Sequence, residues 1–322
     1  MLSLARNGYT HDQVKAVLHL AAGSRELQFK YDLLDYNNRF IRTLDNVVDG
    51  EVTLKSLASI KRTATFTLRD DQSIDYLNHR IRPTVLLKMP SGKEIKEKFF
   101  FLRPTFPTIF KEIEQMEPGW VEFPQGIFLL SSPTRSDENI GVYRNIDAYD
   151  QSLILRDDKF ESRYAVRRGR DYRQALIEIL ESAGITDHEI DPIVKRVPST
   201  REYEPGASKL TVVNNLLSAI NYTPIYVDAD GVFRSRPYRS PSERAAEYTY
   251  KDDDLSVTYK GMEEELDTFN VPNRWVAVLS DPERDPLVAS YTNDNPDSIT
   301  STVNRNRTIV DYREVEDIAD QY

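Results

Sequence analysis

The chain has 322 residues, 52 acidic and 42 basic, a formal charge of -10, and 39% hydrophobic and 29% charged side chains. This balance suits a soluble globular chain of about two domains, not a disordered one, and its acidic surplus excludes a protein that grips nucleic acid by neutralising phosphates. The lack of cysteine excludes thiol nucleophiles, disulfide frameworks and Cys-ligated metals, and His11, His19, His79 and His188 form neither H-x-H nor H-E-x-x-H.

Residues 11–22 place Val14, Val17, Leu18 and Ala21 on one stripe, predicting a short amphipathic helix that stops at Gly23. From Glu26 the period changes to two. Leu27, Phe29, Tyr31 and Leu33 alternate with polar residues, and residues 35–38 supply a turn before a return strand at 40–44. Asp49-Gly50 reads as another turn, followed by strands at 51–57 and 62–68. Residues 76–82 read as an irregular link, 84–88 as a strand and 90–92 as a turn. Strands at 120–131 and 141–149 complete a set that predicts an antiparallel barrel or sandwich. Residues 97–118 interrupt this pattern. Pro104 and Pro107 exclude a regular helix before residue 108, and the stretch reads as a loop insertion.

The middle of the chain changes character. Asp171 is a natural N-cap for a helix with Leu176, Ile179, Leu180 and Ala183 on one face and Gly184 at its stop. A second helix is predicted over 208–220, with Leu210, Val213, Leu216, Leu217 and Ile220 as its stripe. Runs at 224–228 and 232–236 bracket Ala229-Asp230-Gly231, which predicts a hairpin. A linker rich in Ser, Pro and Arg follows at 239–243. Strands are expected at 255–260, 273–279, 287–291 and 308–312, with prolines between them, and a helix-like stretch at 312–322. Ending within that stretch suggests that the natural chain continues or that another chain covers this end.

Charge divides along the same lines. Residues 1–155 hold 20 acids and 20 bases, residues 156–240 hold 13 and 14, and residues 241–322 hold 19 and 8. The deficit therefore belongs to the last segment, as a solvated acidic face or as a wall facing something that must not stick. No pattern announces catalysis. Ser91-Gly-Lys-Glu94 lacks the glycine and hydroxyl of a phosphate loop. The carboxylate runs are unmarked by any other feature, and no G-x-S-x-G occurs. Arg167, Arg168 and Arg170 read as partners for nearby acids such as Asp171 and Glu161. No enzymatic activity, cofactor or metal is expected. No apolar run reaches the roughly 20 residues that span a bilayer, and no secretory signal is evident, so cytoplasmic synthesis without membrane insertion is expected.

Taken in order, several segments resemble the tail hub or baseplate hub proteins of bacteriophages and prophages of Gram-positive bacteria. They are Tyr31-Asp-Leu-Leu-Asp35, Ile60-Lys-Arg-Thr-Ala64, Arg80-Ile-Arg-Pro83, Lys88-Met-Pro-Ser-Gly92 and Phe123-Pro-Gln-Gly-Ile-Phe-Leu-Leu-Ser-Ser-Pro-Thr134. Asp147-Ala-Tyr-Asp150, Asp157-Asp-Lys-Phe160, Glu202-Tyr-Glu-Pro-Gly206, Asn221-Tyr-Thr-Pro224, Asn270-Val-Pro-Asn273, Asn295-Pro-Asp297 and Thr308-Ile-Val-Asp-Tyr-Arg-Glu314 continue the series. The resemblance covers roughly residues 27–318 apart from the insertion at 97–118, where this chain departs from the family.

The resemblance implies an α+β, mainly β fold: an N-terminal helical arm (1–24), a tube-like antiparallel β-barrel (25–155), a small α+β insertion domain (156–240) and a second, acidic barrel (241–322). It implies a homotrimeric ring in the tail tip or baseplate of a virion, assembled in the host cytoplasm. Its partners would be the tail tube or distal tail protein, the tape measure protein, and tip, spike or fibre proteins. DNA would pass without specific binding, and like charge suits such a passage. If the chain is such a hub, many of Asp252, Asp253, Asp254, Glu263, Glu264, Glu265 and Asp267 are expected to face the channel or its mouth. The alternative is a cell-wall carbohydrate-binding or glycan-degrading tail protein, which needs two carboxylates facing across a cleft.

Overall fold

The computed structural model describes residues 3–19, 25–91, 118–138, 141–246, 265–279 and 287–315. With 40% strand and 17% helix the fold is mainly β, as the alternating runs imply. Nine strands form one antiparallel sheet: β1 (Leu27–Leu34), β2 (Phe40–Leu44), β3 (Val47–Leu54), β4 (Arg62–Arg69), β5 (Arg80–Met89), β6 (Gly119–Pro124), β7 (Phe128–Leu130), β8 (Thr134–Glu138) and β9 (Gly141–Asp150). Their order is β2-β1-β5-β7-β9-β4-β3, with β6 beside β5 and β8 beside β9.

One face of this sheet makes a single core. Leu33, Leu44, Ala64, Phe66, Leu68, Ile81, Phe128, Ile146 and Ala148 are buried together, with Val47 and Val52 of β3 against them. Tyr31, Phe66 and Phe128 run edge to face through it, successive ring centroids 6.1 Å apart. Among the described residues the sheet expected as a barrel is open: its hydrogen bonding ends at β2 on one side and β3 on the other. Those end strands are nevertheless consecutive in the chain, separated only by Asp45 and Asn46. That link spans at most about 11 Å, so the sheet must curl until its two ends nearly meet. Residues 70–79 connect β4 to β5 as a largely exposed segment that inserts Ile74 into the core; the Asp70 carboxylate accepts from Arg144 of β9 at 2.7 Å, and Asp71 accepts from Arg42 of β2.

Three expectations change here. Asp49-Gly50 is not a turn but lies inside β3. A Cβ on Gly50 would sit 3.2 Å from the Tyr31 hydroxyl and 3.3 Å from Phe66, so the glycine admits two rings instead of reversing the chain. The run at 120–131 is two strands, broken where Gly126 takes φ 137°. The strand expected from Thr84 starts at Arg80, because Arg80, Ile81, Arg82 and Pro83 pair with the upper half of β1. The insertion at 97–118 lies outside the described residues except for Pro118. Helix α1 (His11–His19) packs Val14 and Val17 on Leu87, Met89 and Val121, as its stripe predicts, while Ala21 and the expected stop at Gly23 lie outside the described residues.

The middle region contains α2 (Ser152–Asp157), β10 (Tyr164–Val166), α3 (Tyr172–Ser182), β11 (His188–Ile190), β12 (Arg201–Tyr203), α4 (Lys209–Ala219), β13 (Tyr226–Val227) and β14 (Phe233–Ser235). Both predicted helices start where the side chains dictate. The Asp171 carboxylate accepts from the Gln174 N–H at 3.0 Å, and the Ser208 hydroxyl accepts from the Thr211 N–H at 3.1 Å. Gly184, at φ 76°, ends α3. The stripes of α3 and α4 meet in one core that takes in Leu155, Val166, Ile190, Val227 and Phe233. The expected hairpin is β13–β14, and β11 joins it in parallel, a pairing that local pattern does not announce.

Towards the C-terminus, β15 (Arg274–Leu279) lies between antiparallel β16 (Leu287–Thr292) and parallel β17 (Val310–Val315), with the short helix α5 (Thr302–Arg305) before β17. Tyr312 to Val315, expected to begin a helix, continue β17 because each pairs in register with β15. The strand expected at 255–260 lies outside the described residues. Here the fully buried described residues are polar, Asn273 and Ser301. Asn273 donates to Arg307 O at 2.9 Å and accepts from Ile309 N at 2.8 Å, and Arg305 donates to Val271 O at 2.7 Å.

Candidate assembly interface

The sheet joins the middle region through Asp150, Gln151 and Ser152, all buried. Asp150 accepts from the backbone N–H of Arg62 and of Ser152, each at 2.9 Å. Gln151 accepts from Arg80 at 2.7 Å and from Asn38 at 3.3 Å, and donates to Gly231 O at 3.3 Å. Arg80 also donates to the Asn38 side chain at 2.6 Å, and burial pulls its guanidinium below its ordinary value. Gly231 forms the turn of the β13–β14 hairpin. A Cβ there would lie 2.7 Å from Ile127 and 2.8 Å from the Gln151 amide, so only glycine lets the hairpin approach the sheet this closely. A cavity of about 350 Å³ opens beside the joint, walled by Arg6 and Asn7 of the arm, Arg82 and Thr84 of β5, and Asp230 of the hairpin.

Asp32, 1% exposed, anchors β1 to both neighbours. It accepts from Arg82 of β5 and Thr43 of β2, each at 2.9 Å, with Lys30 at 3.3 Å. Burial alone would raise its carboxyl. The hydrogen bonds from Arg82 and Thr43 and the charge of Lys30 together outweigh burial and hold it below the ordinary carboxylate range.

Edges that are unpaired among the described residues are surfaces on which another strand can add. β2 covers β1 only over Tyr31–Leu34, so among the described residues nothing pairs with residues 27–30 on that side, and Leu27 and Phe29 are exposed. The free edge of β3 carries Asp49 and Glu51 beside exposed Val48 and Leu54, and β17 carries Asp311, Arg313 and Glu314. β16 has no charged residue. In the β15–β17 sheet, Val276 lies between Ser290 and Tyr312, Val278 between Val288 and Glu314, and Arg274 between Thr292 and Val310. Directly paired residues share a face. One face thus mixes Val276, Val278, Val288, Val310 and Tyr312 with Arg274, Ser290, Thr292 and Glu314, and Val288, Val310 and Tyr312 are 61%, 51% and 62% exposed.

Of the acids singled out in the sequence, Asp252, Asp253, Asp254, Glu263 and Glu264 lie outside the described residues. Glu265 and Asp267 are both exposed on the approach to β15, and Asp267 accepts from the Phe269 N–H at 3.3 Å. Arg170 pairs with Glu178 one helical turn and more away, whereas Asp171 is occupied as the cap of α3. Among the described residues no three His, Asp or Glu side chains gather as a metal-ligand set. Sequence reasoning missed Gln151 and Gly231 as a joint and Asp32 as an anchor. The only available signal was the glycine at a hairpin tip, which turn chemistry already accounts for.

No family model matches the chain, and no curated protein matches it. Among solved structures it is similar to a tail protein from Neisseria meningitidis MC58, with a TM-score of 0.54 and 11% identity over 90% of this chain and 72% of that one. Prophage tail protein gp18 from Listeria monocytogenes EGD-e aligns with a TM-score of 0.48 and 13% identity, over 91% of this chain and 74% of that one. The 43 kDa tail protein of prophage MuSo2 from Shewanella oneidensis aligns with a TM-score of 0.48 and 11% identity, over 90% and 74%. The Neisseria likeness establishes a shared fold along most of the chain.

Proposed function

We propose that the chain is a structural hub of a phage-type tail, three copies of which form a ring at the tail tip or baseplate through which DNA passes. The observation that carries this reading is the fold shared with the Neisseria tail protein over 90% of the chain. The interior of the nine-stranded sheet is filled by Tyr31, Phe66, Phe128 and their aliphatic neighbours, so a passage for DNA must lie between copies and not through one. The open edges and exposed apolar residues are the surfaces that such copies would cover. On this reading the curled sheet (25–155) and the acidic region (241–322) are the two tube-like barrels, with 156–240 inserted between them. The acids from Asp252 to Asp267 then face the channel, where they keep DNA from adhering. The tail tube or distal tail protein lies above, the tape measure protein in the lumen, and tip, spike or fibre proteins below.

Gel filtration with light scattering, followed by electron microscopy of the purified chain, tests the reading. A trimeric ring with an open centre is the expected result. A chain that stays monomeric at every concentration and degrades peptidoglycan would overturn it in favour of the glycan-degrading alternative.

A further inference from the structure

We propose that the doubled loop of the middle region, residues 167–170 beside 195–200, is a docking site for a carboxylate-rich segment of a partner protein. The site stands apart from the ring reading and gives the middle region a task of its own.

The sequence concentrates base here. Residues 162–170 and 192–201 hold seven bases and no acid, in a chain whose net charge is -10. The fold lays the two runs side by side. β10 and β12 pair Val166 with Arg201, and Asp171 bridges Arg196 beyond them. Between these points Gly169 N donates to Val197 O at 2.7 Å, Val197 N to Arg170 O at 2.9 Å, and Arg168 N to the Thr200 hydroxyl at 3.2 Å. Gly169, at φ 81°, makes the turn that lets Arg170 N reach back to Arg167 O at 3.2 Å. The two loops therefore form one fixed platform.

Three of its guanidinium groups are unspent. Arg170 pairs with Glu178, but Arg167, Arg168 and Arg196 are exposed and form no ion pair among the described residues. Of the acids expected to neutralise the cluster, Asp171 is taken up as the cap of α3, and Glu161 forms no ion pair among the described residues. Val194, two residues before Arg196 and 94% exposed, adds an apolar contact.

The chemistry of the platform selects its ligand. The backbone N–H groups of Arg168, Gly169 and Arg170 all have acceptors, so no cradle is left for a single small anion. A long phosphate polymer would run off the loops onto Glu202 of β12 and Glu178 and Glu181 of α3, and the acidic chain as a whole repels it. A short polypeptide segment with several carboxylates and an apolar residue pairs with the arginines and covers Val194. Such a contact weakens as salt screens it.

Fluorescence anisotropy of the full-length chain with a labelled peptide of alternating Glu and Leu tests the proposal, with a single-stranded oligonucleotide as a second probe. The peptide should bind, bind more weakly as salt rises, and lose about tenfold in affinity when Arg167→Ala, Arg168→Ala and Arg196→Ala are combined. Combining Arg39→Ala, Lys55→Ala and Arg69→Ala, at exposed bases outside the platform, removes the same charge and should leave binding nearly unchanged. Equal loss in the two variants would show an effect of net charge alone and overturn the site, as would no binding of the peptide. Tighter binding of the oligonucleotide, lost in the first variant, overturns the protein ligand in favour of a phosphate polymer. Light scattering should give the native chain and the first variant the same oligomeric state, and a smaller state in the variant overturns the separate partner in favour of a second copy. Failure of the ring leaves the result untouched, since peptide binding is read on the chain whatever its oligomeric state.

Discussion

Between α3 and α4, Leu176, Leu180, Val213, Leu216 and Leu217 have no exposed surface at all. Around the β15–β17 sheet, the described residues buried as deeply are Asn273 and Ser301, which lie outside its strands, while Val288, Tyr291, Val310 and Tyr312 are exposed. The first region encloses an apolar core of its own. The second is tied at one end by side-chain to backbone hydrogen bonds from Asn273, Arg305 and Arg307, and leaves its apolar residues open. A sheet's apolar face is normally buried against another element. The difference teaches where stability resides: the middle region brings its core with it, and, on the ring proposed above, the C-terminal sheet would complete its own on assembly.

Substitutions can break this comparison. Leu216→Ala, which opens a cavity in the middle core, should lower stability by about 2–5 kcal/mol in urea unfolding. A loss below 1 kcal/mol would mean that this core is not what holds the region. Asp32→Asn removes charged hydrogen bonds from the first sheet and should cost about 1.5–3 kcal/mol at neutral pH. Because the folded Asp32 carboxyl is lowered, its contribution is complete above the unfolded value of about 3.9 and disappears as pH falls below that towards the folded value. Thermal midpoints of the native chain should therefore drop below about pH 4 while those of the variant fall less steeply, and parallel acid limbs would refute the anchoring role.

Two smaller effects sharpen the contrast. Asn273→Ala leaves Arg307 O and Ile309 N without their side-chain partner and should cost about 1–3 kcal/mol. The loss should be local, read as faster exchange of the Ile309 amide with α4 amides unchanged, and uniform acceleration would show that the two regions unfold as one. Asp171→Ala removes the cap of α3 and should cost about 1 kcal/mol, and an unchanged midpoint would show that the Gln174 N–H finds another acceptor.

Helix α3 and helix α4 were legible in the sequence because everything that forms them is local: Asp171 and Ser208 cap, Gly184 stops, and the stripes repeat at helical spacing. The alternation of β1 was legible for the same reason. Gly50 misled because Asp-Gly signals a turn only if nothing distant occupies the glycine's empty side, and there Tyr31 and Phe66 do. Gly126 shows the converse, a break within 120–131, a stretch that reads as one strand in the sequence.

The sequence by itself determined the mainly β class, the two capped helices, the hairpin at Asp228–Val232 and the uneven placement of charge, since propensity, capping and counting act over a few residues. Only the tertiary structure decided that β2 and β3 form opposite ends of one curled sheet, that β11 and β17 pair in parallel, and that Gln151 ties Arg80 to Gly231. Those contacts join residues far apart in the chain, and their free energy comes from burial and hydrogen bonds that no local pattern encodes.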